Sequence, residues 1–338
     1  MVFLNIREIA RKARVSHSTV SRVINGVQTV DPKLAKRVHA VIEDVGYRPN
    51  HQAQALARGR SHTVGLIVSE LSGGNPFFAE IILYFERAAV QNGFEVLISF
   101  ADTETDPRHI AVCANRMKER RVEGIAVLTF GMEECLSELG SPTMPIVYAG
   151  AQAPIEGIRN LRINYLTGMR DAVKHLAAFG HRRIGYLSGQ LAWSSMKQRY
   201  DALRKATKLA GLVFDKDLMI PCDHTLEGGA HGMATLLSLP DPPTAVLCCN
   251  DMAAIGALKT LSQRNLMAGR DISLIGFDDL PLCRFTQPSL STIRFSPSEL
   301  AELSFRCLME EIQGVETKLE HEYKTHFVLR ESTGAPRK

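Results

Sequence analysis

His17, Ser18, Ser21 and Arg22 lie within the stretch ARVSHSTVSRVING, residues 13–26. Val20, Val23 and Ile24 supply the single apolar stripe of a short helix there, leaving those four polar residues on its outer face. Ser18 and Arg22 are four apart and stand one above the other. A guanidinium so placed offers two parallel N–H donors, which match guanine O6 and N7 in a major groove and discriminate by about 1–3 kcal/mol. Small hydroxyls beside it keep the helix slim enough to sit deep. His17, Ser18 and Arg22 are therefore the candidate base-reading residues. A solvated helical cap is the bland alternative, and it leaves the charge distribution unexplained.

A second group of chemically capable residues stands where apolar runs stop. Asn75-Pro76-Phe77-Phe78 follows TVGLIVS, and Ala101-Asp102 closes FEVLISFA. Gly189, Cys249-Asn250-Asp251 and Phe277-Asp278-Asp279 close three later runs. Open parallel sheets bind ligands beyond the carboxyl ends of their strands. Carboxylates and amides take hydroxyls and a flat ring covers an apolar face, which suits a polyol. Asp251 reads as the N-cap of a helix starting at Met252 rather than as a ligand contact. Adjacent carboxylates at a strand end point apart, so Asp278-Asp279 is not read as a metal pair.

Three short helices must position the first group. Asn5 with Glu8 forms a capping pair, and Ile6, Ile9, Ala10 and Ala13 make one stripe. A break at Arg14-Val15 leads to Ser16 as the next N-cap. Asp31-Pro32 starts a third helix, buried through Leu34, Val38, Val41, Ile42 and Val45 and ended by Gly46. Two helices joined by so short a turn make a helix-turn-helix. After Pro49, residues 50–58 carry one large apolar group, Leu56, too little to hold a helix in water. From residue 63 the pattern becomes strand, helix, strand. Helices are expected at 77–92, 108–121, 168–179, 198–210, 229–237 and 252–264, between continuous apolar strands of parallel type.

Charge follows the same division. Residues 1–60 hold eleven Lys/Arg and four Asp/Glu, net +7, so the +4 of the 338-residue chain leaves −3 for the rest. A basic head on a slightly acidic body points to a polyanion at one end. The seven cysteines are scattered, without a C-x-x-C pair for zinc or redox chemistry, and read as structural thiols of a reducing cytoplasm. No signal-peptide core or membrane span is evident. Phosphate-loop, dinucleotide-loop and nucleophile-elbow motifs are absent, so no enzyme, cofactor or metal is expected.

IREIARKARVSHSTVSRVING with VIEDVGYRPN resembles the DNA-binding head of the lac repressor family of bacterial transcription regulators. The resemblance continues through VGLIVSELSGGNPFFAEI, GHRRIGYLSG, PTAVLCCNDMAAIGAL, ISLIGFDDLPLCRFTQPSLSTIRF and LRESTGAP, covering nearly the whole chain. It implies an α/β protein: a three-helix head at 1–48, a hinge helix at 49–61, and a two-lobed periplasmic-binding-protein-like body at 62–338. The first lobe would take about 62–164 and 293–325, the second about 165–292 and 326–338, with STIRF onward returning to the first. A homodimer would bind a pseudo-palindromic double-stranded operator, with paired hinge helices in the minor groove and Leu56 as the wedge between base pairs. Thr19, Ser21, Asn25 and Tyr47 fall where family members hold phosphates. Phe77 and Phe78 match first-lobe effector contacts, with Asp102 close by as a further candidate, Arg199 matches the clamping arginine, and Asn250 and Asp278 match second-lobe contacts. Trp193, Ser195 and His224 occupy positions that vary with effector. The family's purine-responsive member has arginine where Trp193 stands, and tryptophan suits a sugar ring better. A sugar-binding protein without DNA function is the alternative; it predicts no basic head. The chain end lacks the leucine heptads of a tetramerising bundle.

Overall fold

A computed structural model of the chain describes residues 6–24, 29–47, 60–69, 76–102, 108–129, 136, 139, 144–151, 155–315 and 320–337. Two compact units divide it, residues 1–62 and 63–338.

The first unit contains helices α1 (Ile6–Ala13), α2 (His17–Ile24) and α3 (Pro32–Val45). Arg14 takes a left-handed φ of 52° between α1 and α2, which turns the chain sharply enough for both to share one core. That core is Ile9, Ala10, Ala13, Val20, Val23 and Val38. Asp31 accepts from the Lys33 N–H at 2.7 Å and Pro32 occupies the first turn, as expected of that dipeptide. Arg37 on α3 donates to the carbonyls of Ala13 and Arg14, closing the C-terminal end of α1. Val38 alone of the expected α3 stripe is fully buried; Val41 and Ile42 pack at the margin.

The second unit holds two six-stranded sheets. The first is parallel throughout, in the order β11-β5-β4-β3-β1-β2. Its strands are β1 (Thr63–Ser69), β2 (Glu95–Ala101), β3 (Ile125–Leu128), β4 (Ile146–Ala149), β5 (Arg159–Asn164) and β11 (Glu320–Lys324). Around it pack α4 (Pro76–Gln91), α5 (His109–Glu119) and α10 (Pro297–Ile312). The second sheet runs β12-β10-β9-β8-β6-β7, with only β12 antiparallel. It comprises β6 (Ile184–Ser188), β7 (Met219–Pro221), β8 (Ala245–Cys248), β9 (Ser273–Asp278), β10 (Ser291–Arg294) and β12 (His326–Val328). Helices α6 (Tyr165–Ala178) and α7 (Ser194–Leu209) pair with each other, as do α8 (Leu226–Leu237) and α9 (Asp251–Gln263).

The chain passes between lobes three times. The crossings lie at Asn164–Tyr165, at Phe295-Ser296, and at Thr325 between β11 and β12. STIR was expected to return to the first lobe, but β10 pairs in register with β9, Ser291 beside Ile275 and Arg294 beside Asp278. Its buried, β-branched residues complete the second sheet, and the chain leaves only when Pro297 starts α10. The crossings are tied together: Thr325 Oγ1 donates to Asn164 O at 2.9 Å and accepts from Gly168 N–H at 3.1 Å. Among the described residues no helix is long and apolar enough to cross a membrane.

Candidate DNA-reading helix and effector site

Ser16 caps α2: its Oγ accepts from Thr19 N–H at 3.1 Å and lies 2.7 Å from Ser18 Oγ and 2.8 Å from Thr19 Oγ1. With Val20 and Val23 buried, His17, Ser18 and Arg22 are all exposed on the opposite face. Thr19 and Ser21 sit at its edges, half-buried. Tyr47 follows the left-handed Gly46 (φ 61°) and packs on the head core while its N–H donates to Ile42 O at 3.0 Å. Asn25 and Leu56 lie outside the described residues.

In the body, α7 begins at Ser194, four residues before the expected Gln198, and Trp193 occupies the N-cap position with no side-chain cap. Ser195 and Arg199 therefore share the inner face of one helix, both buried. Arg199 reaches the carboxyl ends of β8 and β9 together. Its Nη1 donates to Cys249 O, its Nη2 lies 3.4 Å from Asp278 Oδ1, and its guanidinium carbon stands 3.8 Å above the Phe277 ring. Burial pushes the Asp278 carboxyl above the usual carboxylate range, and the Arg199 cation opposes that shift. Asp279 turns the other way, toward Arg294 at 2.7 Å and Arg330 at 2.5 Å, so the two carboxylates do point apart.

Trp193 and His224 stack in parallel, centroids 4.7 Å apart and planes 3° off. Gly189 makes room for that stack, because a Cβ there would stand 2.4 Å from His224 Nε2. Burial, helped by Arg199, lowers the His224 pKa to about 4, so the ring is neutral at pH 7. Three buried polar atoms at this end of the sheet have no partner among the described residues: Ser188 Oγ, Arg199 Nε and His224 Nε2. Buried polar groups are ordinarily satisfied, so such a set is what an arriving ligand would complete.

Asn250 is engaged differently from a ligand contact. Its Oδ1 accepts from Ala253 N–H at 2.8 Å as the N-cap of α9, and its Nδ2 donates to His224 O at 2.9 Å. Asp251 is not the cap, contrary to expectation. Helix α9 already includes it, and its carboxylate accepts from Thr292 Oγ1 (2.6 Å) and Leu280 N–H (2.8 Å), joining β10 to the β9 exit.

From the first lobe, Phe77 is 3% exposed and stacks on Phe295, centroids 5.3 Å apart, with Phe78 edge-on to it at 5.6 Å. Phe295 meets Phe277 at 6.5 Å and Tyr165 at 6.1 Å. A row of rings thus runs from α4 through the second crossing to the ring beneath Arg199. Phe77 serves as core in this row, while half-buried Phe78 is closer to solvent. Asp102 follows the edge strand β2 of the first sheet, its N–H donating to His109 Nδ1 at 3.1 Å. A cross-lobe bond runs from Gln198 Nε2 to Gly150 O at 2.8 Å. Sequence reasoning missed Tyr165, Phe295 and Ser188; the first two were findable as aromatic residues directly after strands that change lobe.

Residues 5–50 match the model for bacterial regulatory proteins of the lacI family, and residues 173–333 that for the periplasmic binding protein-like domain. The chain is 32% identical to the ribose operon repressor of Escherichia coli K12 over 91% of its length and 92% of that protein. It is 31% identical to the transcriptional repressor PurR of Mannheimia succiniciproducens, over 97% and 98%. Among solved structures, the lac repressor dimer bound to operator and the anti-inducer ONPF superposes with a TM-score of 0.90 at 26% identity, covering 98% of this chain and 99% of that one. The regulator CelR in complex with cellobiose gives 0.70 at 28%, over 97% and 99%. The chain belongs to the lacI family of bacterial regulatory proteins and is a DNA-binding transcriptional regulator.

Proposed function

We propose that the chain represses transcription in the cytoplasm as a homodimer on a pseudo-palindromic operator, under control of a sugar or sugar derivative bound between the lobes of its body. His17, Ser18 and Arg22 read base edges; Thr19, Ser21, Asn25 and Tyr47 hold phosphates, and Leu56 wedges the central step. The head ends near residue 48 and the hinge near 61. In the body, Arg199 and Asp278 take ligand hydroxyls, Trp193 covers a ring face, and Ser195, His224, Phe77, Phe78, Asp102 and Asn250 shape the site around them.

The observation that carries the effector assignment is the group of unpartnered buried atoms, Ser188 Oγ, Arg199 Nε and His224 Nε2, beside the Trp193–His224 stack. Neutral hydroxyls satisfy such atoms without bringing in a charge that the acidic Asp278 would oppose. Ligand would bias one arrangement of the lobes about the crossings at Tyr165, Phe295 and Thr325. The separation of the two hinges across the dimer would change with it, a coupling of typically ~1–3 kcal/mol.

A thermal-shift screen of sugars, sugar phosphates and nucleosides tests the assignment, since ligand at about 100 times its Kd adds ~2.7 kcal/mol of stability. A neutral sugar should raise the melting point of wild type and not of Arg199→Met. A response confined to nucleosides rejects the sugar assignment.

A further inference from the structure

Cys307 and Glu310 are three residues apart on α10 and so share one face of that helix. That face lies against the edge of the first sheet, where β11 runs parallel to β5 with His321 beside Leu161. The thiol, one carboxylate oxygen of Glu310 and one ring nitrogen of His321 all lie within 4.8 Å of one another. Two rigid elements thus bring three different donor groups to one point, far in sequence from the effector site.

The surroundings suit a cation with affinity for sulfur. Arg159 on β5, its side chain wholly buried, holds Glu310 through Nη2 at 2.7 Å and Glu311 through Nη1 at 3.4 Å. A carboxylate has about four lone-pair positions, so Glu310 can keep Arg159 and still offer an oxygen. Held that way it is oriented, as ligating carboxylates usually are by a second hydrogen bond. The two glutamates offset the positive charge of Arg159 and of Arg306 on α10. Burial and Arg159 lower the His321 pKa, keeping the ring neutral and able to ligate. Cys307 is fully buried, and burial raises its thiol to about 11. Coordination deprotonates such a thiol, the proton passing to solvent as the sulfur–metal bond forms. Half-buried Glu310 and His321 leave the site open toward solvent.

We propose that Cys307, Glu310 and His321 form a binding site for a thiophilic divalent cation of the zinc type, with solvent completing a tetrahedral shell. Thiolate, imidazole and carboxylate in one set match zinc rather than magnesium or calcium. The sequence signal is C-x-x-E followed by a distant histidine, which a search for paired cysteines passes over. The site would clamp α10 to β11 four residues before the third lobe crossing at Thr325.

Cobalt(II) added to chelator-treated full-length protein is the probe. One equivalent should bind with a thiolate-to-metal charge-transfer band in the ultraviolet, release one proton per ion, and be displaced by zinc. Cys307→Ser should abolish the band, and His321→Ala should weaken binding at least roughly tenfold. The Cys222→Ser/Cys249→Ser protein should keep the band, since those thiols belong to the second lobe. Circular dichroism checks that each variant is folded. No charge-transfer band in folded wild type overturns the proposal, as does a band that survives Cys307→Ser or disappears with Cys222 and Cys249.

Discussion

Removing either partner of the Arg199–Asp278 pair should have very unequal consequences. The two groups are 3.4 Å apart with side chains 5% and 4% exposed, so neither is screened by water. In Asp278→Ala the guanidinium stays charged, because arginine does not deprotonate in proteins. It retains Cys249 O and the faces of Phe277 and Tyr165, and breaking a buried pair in this way costs about 3–5 kcal/mol. In Arg199→Met the remaining carboxyl, already pushed upward by burial, escapes its penalty by taking a proton. What is lost is the pair of hydrogen bonds to Cys249 O and Asp278 and the cation–π contacts with Phe277 and Tyr165, largely offset by methionine packing and by no longer burying a cation, for about 1–2 kcal/mol net. At roughly 2 °C per kcal/mol for a unit of this size, melting points should fall by about 6–10 °C and 2–4 °C respectively. A carboxyl whose folded pKa lies above its unfolded value stabilises most below the unfolded pKa and loses that stability as pH rises through the folded one. The Arg199→Met deficit should therefore narrow as pH is lowered toward about 4. Differential scanning calorimetry of both variants across that range measures it. A deficit for Arg199→Met equal to or larger than that of Asp278→Ala, or one indifferent to pH, would refute the reasoning.

Arg22→Ala should weaken a specific operator by about 1–3 kcal/mol while leaving random-sequence DNA nearly unaffected, as read by fluorescence anisotropy with both duplexes; equal losses would remove Arg22 as a base reader. His224 has its pKa depressed to about 4, so its contribution to stability is complete above about 6.5 and is lost as pH falls toward 4. Asp251, raised to about 6, gains in the opposite direction over part of that window, so the comparison must be between His224→Gln and wild type. The variant should lose less stability on acidification, and parallel melting curves would contradict the assignment. Leu56→Ala should reduce DNA bending in a gel-phasing assay, and unchanged bending would reject the wedge.

Much of this architecture is legible because its signals are local. Ser16, Asp31-Pro32 and the continuous apolar strands state their roles within a few residues, and the carboxyl-end rule then selects Phe277-Asp278 and Cys249-Asn250 without tertiary knowledge. What escaped depends on partners distant in sequence. Asn250 rather than Asp251 caps α9 because Thr292 on β10 and Leu280 in the loop after β9 claim the aspartate, and both are distant in sequence. The start of α7 is not legible because Trp193 is no capping residue; the ring stacks on His224, 31 residues on. Sequence alone does not place β10, because a four-residue strand carries no mark of which sheet it completes. Phe77 looks like a ligand contact at the end of β1, and only Phe295 turns it into core.

Nuclease footprinting of the DNA flanking the chain's own coding region, with and without the sugar that raises its melting point, tests the central claim most directly. The account predicts one protected site with two-fold symmetry, hypersensitive at its centre where the duplex is kinked, whose occupancy changes severalfold with the sugar in wild type and not in Arg199→Met. A symmetric site indifferent to every ligand that stabilises the body, or stabilisation without any protected site, would contradict it.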